Sequence, residues 1–92
     1  MVYIQLSQPY RNFDKAKIKT VFIYDALISV NYSIINDTNE LFDKNFNVLE
    51  SDYTKMVSSL LKNNFSIMDN IHILLLEYMI EKNIETGTLE VK

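Results

Sequence analysis

The segment from Ser66 to Lys82 sets the tightest limit on this chain, because it reads as a helix with almost no polar side. Ile67, Met68, Ile71, Leu74, Leu75, Tyr78 and Met79 form one broad apolar face. Ile73, Leu76 and Ile80 add a second seam at spacings of three and then four. The polar remainder is a narrow stripe of Asn70, Glu77 and Glu81, with Asp69 beside it. A helix that is hydrophobic nearly all round must be buried on two sides. A single domain of 92 residues removes only ~60–65% of its unfolded surface from water. The expectation is therefore one domain over residues 1–92, with Ile73, Leu76 and Ile80 left over as an oligomer or partner interface.

The remaining segments predict a small antiparallel sheet under two C-terminal helices, an α+β fold. Val2, Ile4 and Leu6 alternate with Tyr3, Gln5 and Ser7, a strand near residues 2–7. A loop at 8–12 follows, since Pro9 cannot donate to a central ladder. Residues 17–35 leave no polar stripe on a helical wheel, whereas period two places Ile18, Thr20, Phe22, Tyr24, Ala26, Ile28, Val30, Tyr32 and Ile34 on one face. A strand that long is unusual, so a bend at Asp25-Ala26 divides it into strands near 17–24 and 27–35. The alternative is a mainly α chain with residues 14–31 helical. Asn36-Asp37-Thr38-Asn39 reads as a turn leading to a strand near 41–48, where Phe42, Phe46 and Val48 alternate with Asp43, Asn45 and Asn47. Ser51 then predicts an N-cap for a helix over 51–64. Tyr53, Met56, Val57, Leu60 and Leu61 are its apolar stripe, and Asn63-Asn64 is its left-handed end. The second helix spans 66–82, and Thr86-Gly87 turns into a closing strand near 88–91.

Composition narrows the function classes. There is no Cys, which excludes disulfides, a thiolate nucleophile and Cys-based zinc or iron–sulfur sites. A single Gly leaves nothing to build a phosphate-cradling loop, and no G-x-G-x-x-G, P-loop, H-E-x-x-H or G-x-S-x-G occurs. The first residues carry no basic and apolar leader pattern, and no apolar run approaches the ~20 residues that cross a bilayer. These features predict a protein of the cytoplasm, or of a host's cytoplasm. The richness in Lys, Asn, Ile and Tyr suits an AT-rich genome, such as that of a phage, plasmid or virus.

Several residues invite chemistry and are outweighed by plainer readings. His72, the one histidine, sits a helical turn after Asp69, but no further ligand completes the four a zinc ion wants. Glu77 and Glu81 read as a solvated helix face. Asp25 interrupts an apolar stretch, which a turn explains. Arg11, Lys15, Lys17 and Lys19 interleave with Tyr10 and Phe13, a pattern that could follow phosphates while its rings stack on bases. Residues 1–19 carry +3 and residues 20–92 carry −6, summing to −3, so most of the chain would repel nucleic acid. Lys55, Ser58, Ser59 and Lys62 could face DNA from a recognition helix, yet the preceding segment reads as strand instead of the supporting helix that a helix-turn-helix needs. No catalytic residue, cofactor or metal is assigned. The residues predict a non-enzymatic interaction or inhibitor protein, homo-oligomeric and binding another protein. Its alternative is a small nucleic-acid-binding regulator using segment 10–19.

Overall fold

A computed structural model describes residues 1–91, with the side chains of residues 68 and 69 outside that description. The chain folds as an antiparallel five-stranded sheet with two helices, the α+β class expected. The strands are β1 (Val2–Tyr10), β2 (Phe13–Tyr24), β3 (Leu27–Ile35), β4 (Glu40–Leu49) and β5 (Gly87–Val91). The helices are α1 (Glu50–Lys62) and α2 (Ile67–Glu81). Sheet order is β4-β3-β2-β1-β5, so β4 and β5 are the edges. Residues 14–31 are strand and turn, which removes the mainly α alternative.

Both helices lie on one face. α1 packs on β3 and β4, and α2 packs on β1, β2 and β5. Alternation supplies the sheet's half of the core: Ile4 and Leu6, then Ala16 and Ile18, then Ile28, Val30, Tyr32 and Ile34, and Val48. Leu60 of α1 and Ile71, Leu75, Leu76 and Met79 of α2 close over them. The other face of the sheet carries no helix, as antiparallel sheets allow when that face is largely polar.

Hairpins behave as turn chemistry dictates. Asp25 adopts φ 49° between β2 and β3, the left-handed region that Asp tolerates. The Asn36 side chain accepts the backbone N–H of Thr38 at 2.9 Å and of Asn39 at 2.7 Å. Both helices end in Schellman motifs. Asn64 (φ 60°) sits between the bonds Asn64 N to Leu61 O and Phe65 N to Leu60 O; Asn83 (φ 58°) repeats the arrangement with Ile80 and Met79.

Four expectations need correction. β1 continues through the anticipated loop to Tyr10, because β5 stops opposite Leu6 and the β1–β2 register shifts between Gln5 and Tyr10. Pro9 therefore occupies an irregular stretch past the end of β5, where no central ladder needs its N–H. β2 begins at Phe13, four residues early. α1 is capped at Leu49, without any side-chain cap bond, instead of at Ser51. The strict period-two face across 17–35 fails at Lys19, where a bulge separates Ile18↔Tyr32 from Thr20↔Asn31. Beyond it Val21 and Ile23 lie opposite Val30 and Ile28, so Thr20, Phe22 and Tyr24 turn to the open face.

Candidate functional site

The most concentrated chemistry lies at a residue that the sequence reading passed over, Glu85. It sits on the short connection between α2 and β5 and is only 6% exposed. Two features of the sequence place it there: the left-handed Asn83 reverses the chain after α2, and Gly87 lets the chain enter β5 against β1. A Cβ at Gly87 would stand 2.1 Å from the Gln5 carbonyl oxygen. No side chain other than hydrogen fits.

Three donors converge on the Glu85 carboxylate. Tyr32 Oη donates to Oε2 at 2.5 Å, Tyr10 Oη to Oε1 at 3.0 Å, and Lys44 Nζ to Oε2 at 3.2 Å. Lys44 also donates to Tyr10 Oη at 3.3 Å and lies 5.5 Å from the centre of its ring. Register explains the meeting of Tyr32 and Lys44, which are direct cross-strand partners. Burial, followed by the adjacent carboxylate, pushes the Tyr32 phenol far above the ordinary tyrosine range. Burial also works against the Lys44 ammonium, but its bonds to Tyr10 and Glu85 outweigh that and raise its pKa. A buried charge is tolerable only when paired and hydrogen-bonded, and this carboxylate is both. Its oxygens are committed to protein donors, which makes the cluster a clasp fixing the α2–β5 connection to β1, β3 and β4. The signal available in sequence was Lys44 itself, a cation in register with the apolar positions Phe42, Phe46 and Val48.

A second grouping is apolar and exposed. Tyr24, Leu27 and Leu49 are successive cross-strand partners on β2, β3 and β4, and they leave 58%, 46% and 67% of their surface in water. The Phe22 ring stacks beside Tyr24, centroids 6.1 Å apart. The row reaches the β4 edge at Leu49. Leu41 and Phe42 are exposed farther along the same strand.

The residues singled out from sequence fall as follows. Leu76 is 0% exposed within its own chain, so it offers a partner nothing; it packs into the core with Leu75 and Met79. The helix is greasy on that side because α2 meets the sheet and α1 together. Ile73 and Ile80 of the same seam are half-buried. The chain thus hides more of the last helix than its length led one to expect.

Of the four cations, Lys15 is held by Asp14 at 3.2 Å and Asp37 at 2.9 Å, and Lys19 by Asp43 at 2.9 Å. Lys17 is exposed on β2, and Arg11 is exposed at the β1–β2 turn with φ 60°. His72 is half-buried in a cleft with Met1, Val2, Lys17, Ile18 and Lys19. Burial, then the Lys17 charge, lowers its pKa. The Asp69 side chain, its expected neighbour, lies outside the described residues. Glu77 and Glu81 are exposed, while the Asn70 amide donates to Ser66 O at 2.7 Å. Lys55, Ser58, Ser59 and Lys62 share the exposed face of α1, but the element before them is β4.

Among the described residues, no group of three or more His, Cys, Asp or Glu is arranged to hold a metal, and no helix is long and apolar enough to cross a membrane. Comparison with protein-family models, curated proteins and solved structures finds no match.

Proposed function

We propose that this protein works by protein–protein association without catalysis, and that its first partner is a second copy of the same chain. The observation that carries this reading is the exposed row Tyr24–Leu27–Leu49, with Phe22 stacked on it, running across three strands to an open sheet edge. Clustered exposed apolar side chains mark association surfaces more than scattered ones do. The row takes the place of the Ile73–Leu76–Ile80 seam as the interface. Ile73 and Ile80 retain only flanking surface.

The composition supports an accessory protein of a phage, virus or mobile element, acting in the cytoplasm of its cell or host and binding a further protein there. Nucleic-acid binding through Arg11, Lys15, Lys17 and Lys19 has less support, because acids of the same chain already pair with Lys15 and Lys19.

Light scattering tests the reading. At tens of micromolar the chain should have twice the monomer mass, and Leu41→Glu with Leu49→Glu, both exposed on the β4 edge, should halve it while far-ultraviolet circular dichroism stays unchanged. A monomeric wild-type chain at that concentration overturns the proposal.

A further inference from the structure

Resting on that reading, we infer that the two copies join through β4, pairing antiparallel with itself around Asn45 to make one ten-stranded sheet. β4 is a ten-residue edge strand with no Pro or Gly. Only Val48 along it is buried, and seven of its residues are exposed. An edge strand presents a row of unpaired N–H and C=O groups, and natural edges are blunted by shortness, Pro, charge or covering elements. The opposite edge, β5, is blunted in this way: it has five residues and carries Glu90. Of the three charges on β4, Asp43 and Lys44 are already committed, and Glu40 lies past the bulge at its far end. Lys44 turns under the sheet to Glu85, and Asp43 pairs with Lys19 and accepts from Ser33 at 2.8 Å.

Charge selects the register. In a two-fold antiparallel pair whose helices stay on one face, the axis passes through a single residue, which meets its own copy. Centring on residue 43 sets Asp43 against Asp43, and centring on residue 44 sets Lys44 against Lys44; like charges directly opposite are unfavourable. Centring on residue 46 sets Lys44 against Val48 and Asp43 against Leu49, facing both charges with aliphatic side chains. Centring on Asn45 avoids both faults. It places Lys44 opposite Phe46, Asp43 opposite Asn47 and Phe42 opposite Val48 of the second copy. The bulge at Leu41 ends the regular ladder at Phe42.

Size sets the strength. Ten residues at about 3.4 Å each give an edge about 34 Å long. With the molecule's shortest dimension, 21 Å, as depth, the contact cannot exceed roughly 700 Å² per copy, below the roughly 800 Å² of a standard specific interface, which suits a weak association.

Because the chain contains no Cys, single cysteines test the register directly. Asn45 is exposed, so Asn45→Cys leaves the fold intact. Directly opposed strand residues stand about 4.5–5.5 Å apart at Cα, inside the range a disulfide spans. Under mild oxidation Asn45→Cys should form a disulfide-linked dimer. Asp43→Cys and Asn47→Cys should each remain uncrosslinked alone and crosslink when mixed. A wild-type dimer in which Asn45→Cys fails to crosslink, or in which Asp43→Cys alone crosslinks, overturns the β4 assignment and leaves self-association standing. A wild-type monomer overturns both.

Discussion

Tyr32 and Glu85, fifty-three positions apart in sequence, meet in the interior through a hydrogen bond of 2.5 Å from the phenol to the carboxylate. That bond ties the middle of the sheet to the connection between the last helix and the last strand. It anchors the connection of residues 82–86, which has neither helix nor strand of its own.

Removing the Tyr32 hydroxyl takes the shortest bond from a buried carboxylate and leaves Oε2 to the longer bonds from Lys44 and Tyr10, both 3.2 Å. Tyr32→Phe is expected to destabilise by about 1–3 kcal/mol. Lys44→Met should cost less, since the Lys44 side chain is 40% exposed and water can replace part of its role. Urea unfolding at pH 7 measures both. Equal effects would show that the clasp is not built around the tyrosine.

The pH dependence of stability near neutrality should belong to His72. Its folded pKa lies below the ordinary 6.5, through burial first and then Lys17. The unfolded chain therefore binds a proton more readily than the folded one. Stability from this group is fully present above the unfolded value and is lost as pH falls through the folded one. Urea midpoints should decline from pH 7 toward pH 5, and His72→Gln should flatten that decline.

At lower pH the paired acids take over. The Gln5 bond holds Asp14 below the usual carboxylate range despite partial burial, with help from Lys15. Lys19 and Ser33 hold Asp43 down in the same way. Their contribution is present above the unfolded carboxylate value near 3.8 and disappears as pH falls through the depressed folded values. Asp14→Asn with Asp43→Asn should remove part of the acid limb of a thermal-melting profile.

Gly87 should tolerate no side chain. Its φ of 157° and the approach to the Gln5 carbonyl together predict a loss beyond about 1 kcal/mol for Gly87→Ala. The two left-handed asparagines give an internal contrast. Asn83→Gly should be neutral or stabilising, and Asn83→Ala should cost about 1–2 kcal/mol. Thermal melts of the three variants compare them directly.

Core and surface apolar residues should separate sharply. Leu76→Ala empties a fully enclosed position and should cost about 2–5 kcal/mol. Ile23→Ala, at a site 61% exposed, should stay within about 0.5 kcal/mol. A large loss at Ile23 in a dimeric sample would mean that self-association extends past the row on the open face.

Local chemistry made much of this protein legible in its residues. Alternation along 27–35 marks β3 at its observed bounds, Asn36 to Asn39 spell the turn, and the apolar periodicity after residue 50 marks both helices. These signals act between neighbours in the chain, so no distant partner is needed to read them. Three features waited for the tertiary structure. The bulge at Lys19 turns Phe22 and Tyr24 to the open face, because the register of β2 is settled by its pairing with β3. Leu76 is enclosed, because the sheet and α1 both contact α2 and use sides of the helix that its own sequence leaves equivalent. Glu85 is buried, because its three donors come from three different strands. Local propensity sets the form of each element; burial and charge pairing depend on which elements meet, and only the assembled chain fixes that.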